Sequence, residues 1–247
     1  MKDNVQIKEQ EEFYDRLWHE RLTSRKRTWL GKIYHFDEKS RLNMLGREVD
    51  KFIDPFGKGV KSFDLGCGRG IVSSLLLQKG LQVTALDLSP AAIELNKKRM
   101  PEAEFIASDI FSYDNYDFGK YDLLVSSEVM EHLQVERRKD YVDIIFRLLK
   151  DGGMAIITTP NATEMNRLGM VKDQPLDFWM TMEEFKACFE SKFLLHSFQT
   201  TCLCFKNRFL NYFWKLVPFV NNIADRFIAS SERGKYQMIV VEKKTSI

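Results

Sequence analysis

Four cysteines in 247 residues, at positions 67, 188, 202 and 204, do not make a disulfide-stapled scaffold, and their spacing follows no zinc-site pattern. Cys202 and Cys204 stand two apart in a strand-like run, where packing on one face is the simplest role. Charge of one sign is also scarce. Lys and Arg number 37 against 35 Asp and Glu, and the net +2 falls short of the basic face that nucleic-acid binding uses. No stretch reaches the roughly 18 apolar residues of a membrane span. The opening "MKDNVQIKEQEEFYDRLW" lacks the apolar segment of a signal peptide. There is no internal repeat and no low-complexity tract. These absences lead to the expectation of a globular chain in a reducing, cytoplasmic compartment, with peripheral contact to a membrane left open.

What is present suffices for a sizeable core: 44% of the residues are hydrophobic and 29% are charged, ordinary proportions for a folded protein. The pattern divides the chain at about residue 54. Before it, Phe13, Tyr14, Leu17, Trp18 and Leu22, and then Leu42, Leu45, Val49 and Phe52, recur at helical spacing. We therefore expect a helical N-terminal cap over 1–54. From 55 to 247, short apolar strands alternate with helices. "VKSFDL", "LQVTALDL", "AEFIAS", "YDLLVSS" and "MAIITTP" read as strands. Helices follow Arg69, Ser89-Pro90 and the run around Tyr141 to Leu149, the last stopping at Asp151-Gly152-Gly153. Ser89 is a natural N-cap, with proline at the first helical position. "MEEFKACFE" is helical, and "FLLHSFQTTCLCF" and "KYQMIVVEKK" are strand-like, fit to pair as an antiparallel hairpin. Between them, 206–230 has helical period. The expected fold is an α/β, Rossmann-like, mostly parallel seven-stranded sheet with helices on both faces and a helical insertion before the last strand.

The chemistry concentrates at strand ends. "FDLGCGRG" sets a glycine loop between the first strand and its helix, where helix N-terminal amides meet a ligand and glycine permits tight turning and close approach. Asp87 ends the second strand about twenty residues on, where an acid can accept both hydroxyls of a ribose. Asp109 closes the third. In an open α/β sheet these ends form the binding crevice.

This run of motifs resembles the class I S-adenosylmethionine-dependent methyltransferases. "FDLGCGRG" looks like their first motif, with G-x-G-x-G spacing and not the G-x-G-x-x-G of nicotinamide enzymes. "ALDLSP", "ASDIF", "YDLLVSSEVMEHL" and "LKDGGMAIITTPN" are similar to the next four, in order. The resemblance implies S-adenosylmethionine as cofactor. Asp64 and the loop of Gly66, Cys67, Gly68 and Gly70 would hold its methionine part, and Asp87 the ribose. Leu88 and Ile110 would flank the adenine, Asp109 would accept from its amine, and Ser126 would line the methionine end. Cys67 then needs no redox role.

The acceptor side rests on "SSEVMEHL". Glu128, Glu131 and His132 fall within one turn of the fourth strand's end, and His132 is the candidate base because imidazole titrates near neutral pH. The alternative is a helix-start cluster with His132 merely packed. The E-x-x-E-H pattern resembles the ubiquinone-pathway O-methyltransferases. It also resembles small-RNA 3′-end methyltransferases that hold a metal with two Glu and two His, but here the downstream segment offers Asp177 and no histidine, so no metal is expected. His19, His35, Tyr14, Trp18, Trp29, Phe178 and Trp179 are further candidates for the pocket. The expected reaction is O-methylation of a small molecule: a sugar, a phenol or a lipid-linked intermediate. N-methylation, methylation of an RNA end, or a cofactor-binding regulatory protein without turnover remain open beside it.

"NRFLNYFWKLVPFVNNIADRF" (207–227) aligns Phe209, Phe213, Leu216, Val217, Val220, Ile223 and Phe227 in one apolar stripe edged by basic residues. Three roles compete: packing over the acceptor site, a homodimer contact, and a membrane-surface element. On the membrane reading, Phe213→Glu with Phe227→Glu abolishes co-sedimentation with anionic liposomes and leaves cofactor affinity unchanged. A wild-type protein that never sediments with such liposomes removes that reading.

Overall fold

The computed structural model describes residues 29–56, 59–170, 177–207 and 233–245. Most of the expected insertion at 206–230 lies outside these residues, as do Tyr14, Trp18 and His19. Helix α1 (Trp29–Phe56) comes first, followed by β1 (Lys61–Leu65), α2 (Ile71–Gln78), β2 (Gln82–Asp87), α3 (Pro90–Arg99) and β3 (Glu104–Ala107). Then come β4 (Tyr121–Ser127), two 3-10 turns (Met130–His132 and Val135–Arg137), α4 (Arg138–Leu148), β5 (Leu149–Pro160), α5 (Ala162–Leu168), α6 (Met182–Glu190), β6 (Phe193–Leu203) and β7 (Gly234–Lys243).

The seven strands form one sheet in the order β3-β2-β1-β4-β5-β7-β6. β1 to β5 are mutually parallel, and β7 runs antiparallel between β5 and β6, so the expected hairpin closes the sheet with β6 at its edge. This is the α/β Rossmann-like architecture. A sheet covered on both faces needs two cores. On one face Met44, Leu45 and Val49 of α1, Leu76 of α2 and Ile93 of α3 pack with Val83, Ala85 and Leu123. On the other, Tyr141 and Ile145 of α4 and Phe185 and Phe189 of α6 pack with Phe63, Leu124 and Ile239.

Local signals act as expected where the chain supplies caps. Ser89 Oγ accepts from Ala92 N at 3.2 Å with Pro90 starting α3. Thr181 and Glu184 make a reciprocal capping box at the start of α6. One boundary moves. The Asp151-Gly152-Gly153 stop lies inside β5, because Leu149 already pairs with Tyr121 and Gly152 bends the strand at φ +72°. Among the described residues, no helix is long and apolar enough to cross a membrane.

Candidate active site

The ends of β1, β2 and β3 meet those of β4 and β5 around a cavity of about 350 Å³. Its first half comes from the glycine loop. Gly66 N and Cys67 N donate to Leu86 O at 2.8 and 3.0 Å, which lashes the loop to β2. Asp87 fixes it further: Oδ2 accepts from Gly68 N at 2.7 Å and Oδ1 from Ser89 N at 2.9 Å. Gly66 holds φ +83°, and a Cβ there would stand 2.3 Å from Val129 Cγ2, so this position has room for no side chain. Gly66, Cys67, Gly68, Asp87, Leu88, Asp109 and Ile110 all line the cavity. Asp109 Oδ1 accepts from Phe111 N, Ser112 N and Ser112 Oγ at 2.9–3.1 Å. That leaves its other oxygen for a donor in the cavity.

Three expected residues serve from behind the wall instead. Gly70, at φ +73°, starts α2 against Asn96 and Met100. Ser126 is fully buried, donating to Leu65 O at 2.6 Å and accepting from Tyr141 Oη at 2.6 Å. Side chains alternate along a strand, so it is Ser127 that faces the cavity. Asp64 lies beneath the loop, its Oδ2 accepting from Ser73 Oγ at 2.6 Å while Oδ1 is buried with no partner. Burial lifts the Asp64 carboxyl from its ordinary 3.8 to about 7; the Ser73 bond opposes this and the charge of Asp87 adds to it.

The other half carries the acidic cluster. Glu128 sits in the left-handed region at φ +61°, costly for a residue with a side chain. Its carboxylate accepts from Thr158 Oγ1 at 3.0 Å and pairs with Arg41 of α1 at 3.2 Å. Glu131 is buried; Oε2 accepts from Thr159 Oγ1 at 3.1 Å, and Oε1 lies 4.0 Å from His132 Nε2. Burial, then the charge of Glu128, pushes the Glu131 carboxyl well above the usual range. His132 Nδ1 lies 3.0 Å from Asp177 Oδ1. Burial lowers the basicity of His132, but Asp177, Glu131 and Glu128 together outweigh it and raise the imidazole above its usual value.

Asp177 is the residue that sequence reasoning passed over as a partner for His132. Its segment is held by Phe178 N donating to Glu131 O at 2.7 Å and Arg138 Nη2 donating to Phe178 O at 2.6 Å. Trp179 lines the cavity, with Met165 and Met170 from the α5 side and Lys235 and Tyr236 from β7. His196 is remote from this cavity and pairs with Glu242 at 2.5 Å. Trp29 and His35 fall on α1.

Residues 63–157 match the family model described as "Methyltransferase domain". The chain is 29% identical over 142 residues to the mitochondrial ubiquinone biosynthesis O-methyltransferase of Schizosaccharomyces pombe, covering 56% of this chain and 50% of that protein. It is 31% identical over 135 residues to the ubiquinone biosynthesis O-methyltransferase of Rickettsia conorii, covering 52% and 45%. The chain thus spans about half the length of the curated relatives it matches. A SAM-dependent methyltransferase structure from Archaeoglobus fulgidus shares the fold, with a TM-score of 0.61 at 19% identity over 85% of this chain and 99% of that one. Residues 63–157 thus match a methyltransferase domain, and the chain is similar to the class I S-adenosylmethionine-dependent methyltransferases. Within that class it is similar to the ubiquinone-pathway O-methyltransferases.

The residues present fit the cofactor of that class. The buried, unpartnered Asp64 Oδ1 offers an acceptor to a cationic group, the Gly66 backbone admits close approach, and Asp87 is pinned at the mouth of the loop.

The Asp64 carboxyl has a consequence for stability. Its native pKa of about 7 exceeds the ordinary 3.8, so between those values the folded chain binds more protons than the unfolded chain. Its contribution is complete below the unfolded pKa and is lost as pH rises through that window. In urea titrations, the stability of wild type relative to Asp64→Asn should fall from about pH 4 to about pH 7. A difference that stays constant with pH would show that Asp64 ionises normally.

Proposed function

We propose that the protein is an O-methyltransferase that uses S-adenosylmethionine to methylate a hydroxyl of a small molecule. The observation that carries the reading is the Asp177–His132 contact at 3.0 Å, on the wall of the same cavity as the Gly68–Asp87 bond. Bound in the first half, S-adenosylmethionine supplies an electrophilic methyl group. Asp87 would accept from the ribose hydroxyls and Asp109 from the adenine amine, while Leu88 and Ile110 would cover the ring. Gly66, Cys67 and Gly68 would give their backbone to the methionine part, and Asp64 would balance its charge from below.

In the second half, His132 takes the proton of the acceptor hydroxyl on Nε2. Asp177 at Nδ1 holds the ring in the tautomer that leaves Nε2 able to accept, and stabilises the imidazolium that forms. Glu131 and Glu128 hold the negative field around it. Trp179, Met165 and Met170 offer an apolar and aromatic wall for the acceptor's carbon frame, and α1, within the cap over 1–54, closes the cleft and excludes water. A phenol or a lipid-linked intermediate suits such a wall. The cytoplasmic location and a membrane or homodimer contact through 206–230 belong to the same reading, and the contact rests on the sequence of that stretch.

Two measurements test the assignment. Asp87→Ala should weaken S-adenosylmethionine binding by about 1.5–3 kcal/mol, the scale of a hydrogen bond to a charged group. Calorimetry on the folded variant reads this, and unchanged affinity removes Asp87 from the ribose site.

His132→Ala should lower turnover about 10²–10⁴-fold and leave cofactor affinity intact. Since neutral imidazole is the base and its pKa is raised, turnover should increase with pH through a value above that of ordinary histidine. Asp177→Asn removes the charge at Nδ1, which lowers the imidazole pKa and moves that limb to lower pH while turnover falls. A pH profile that does not move in Asp177→Asn, with His132→Ala near wild-type turnover, makes the cluster structural and leaves catalysis to proximity and orientation.

A further inference from the structure

Behind the cavity wall lies a second group of chemically capable side chains that methyl transfer does not use. Asp37 of α1, Cys202 near the end of β6 and Cys204 just beyond it converge in the interior, all buried. One donor atom from each lies within 4.8 Å of the other two. Cys202 Sγ stands 3.8 Å from Cys204 Sγ and 3.2 Å from Asp37 Oδ1. Among the described residues this is the one group of three or more His, Cys, Asp or Glu that meets that spacing.

The distances carry the argument. A tetrahedral zinc ion with Zn–S bonds of about 2.3 Å and a Zn–O bond of about 2.1 Å separates two thiolate sulfurs by about 3.8 Å, and sulfur from oxygen by about 3.6 Å. The sulfur–sulfur edge matches, and the sulfur–oxygen edge needs a shift of a few tenths of an ångström. The cysteines reach this spacing through a costly backbone: Cys202 holds φ +66°, a region that residues with a Cβ seldom occupy. Among the groups named here, charge is also balanced. Two thiolates and the Asp37 carboxylate carry three negative charges, and a divalent cation together with Lys235 supplies three positive ones, with Lys235 Nζ 2.9 Å from Asp37 Oδ2. A neutral ensemble is what a buried site requires.

We propose that Asp37, Cys202 and Cys204 form a structural site for a thiophilic divalent cation of the zinc type, with water at the fourth corner. Thiolate ligands select zinc over magnesium or calcium, which prefer oxygen donors. The site joins α1 to the β6–β7 hairpin next to Lys235 and Tyr236, so it would brace the acceptor wall without taking part in the reaction. The proposal stands apart from methyl transfer and does not depend on it.

The test uses the full chain, reduced and stripped with a chelator. Zinc is titrated in competition with a chromophoric chelator, and cobalt(II) is added separately for its spectrum. The expected result is one zinc per chain, with a thiolate-to-cobalt charge-transfer band and visible bands of tetrahedral intensity. Cys202→Ser and Cys204→Ser each weaken zinc binding by more than the roughly 10–100-fold that losing an outer-shell partner costs. Asp37→Asn weakens it too, whereas His132→Ala leaves it unchanged, which separates this site from the acidic cluster. Circular dichroism and cofactor affinity check that the variants fold. If a serine variant fails to fold, the thermal midpoint of wild type decides, and it should rise with zinc and fall on chelation. Substoichiometric zinc, a cobalt spectrum without the thiolate band, binding that survives in Cys202→Ser with Cys204→Ser, or a wild-type midpoint indifferent to zinc would overturn the proposal.

Discussion

The cavity exists because β1 lies between β2 and β4. Chains leaving β1 and β2 turn to one side of the sheet's C-terminal edge, and those leaving β4 and β5 to the other, which opens a crevice at the reversal. The glycine loop can remain in that crevice only if something holds it, and Asp87 does so by accepting from Gly68 on one side and Ser89 on the other. One carboxylate thereby ties the loop after β1 to the start of α3. The positions of Cys67, Leu88 and the mouth of the cavity follow from that tie. The cost is an acid-lined site, since Asp64 lies just beneath, its own carboxyl lifted chiefly by burial and further by the charge of Asp87.

Charge organises the second half of the site as well. Three residues of α1 each pair with a different part of the cavity: Asp37 with Lys235 of β7, Glu38 with Arg69 of the glycine loop, and Arg41 with Glu128. Exposed ion pairs contribute little. These six side chains are only 7–26% exposed, so separating them leaves charges poorly solvated, and α1 is held at three points around one opening. The strained backbone of Glu128 is explicable on the same ground. Its φ of +61° aims the carboxylate at both Thr158 and Arg41, and those contacts offset a local cost of about 1–3 kcal/mol.

Much of the fold was legible because strands, caps and glycines are local signals. Alternation of strand and helix, the Ser89-Pro90 cap and the acids at strand ends point to the sheet and to its crevice without any tertiary information. What could not be read depends on direction or distance. Ser126 and Ser127 are equally polar neighbours, and only the pleat decides that Ser127 faces the cavity. Asp177 is 45 residues from His132 in a stretch with no motif, and reaches it because Phe178 N and Arg138 fix the segment against the acidic cluster. The convergence of Asp37 with Cys202 and Cys204 spans 165 residues, and a two-residue cysteine spacing in a strand gives no hint of a carboxylate from the first helix. The expected helix stop at 151–153 failed for a related reason: pairing with Tyr121 draws Leu149 into β5 before the glycines are reached.

The two halves of the cavity have different origins in the chain. The half assigned to the cofactor in the proposed function comes from residues between 64 and 111, a continuous run of alternating strands and helices. Much of the opposite wall comes from scattered places: Met165 and Met170, Asp177 and Trp179, and Lys235 with Tyr236 at the head of β7. Those last two follow directly on the connection from β6, so an insertion or deletion there repositions them without disturbing a bond of the glycine loop. On the proposed function, such a division lets descent with modification retune which acceptor is recognised while the cofactor half is inherited intact. On that reading, a duplicated copy of this chain could shift its acceptor preference through changes in its edge hairpin that leave the glycine loop untouched.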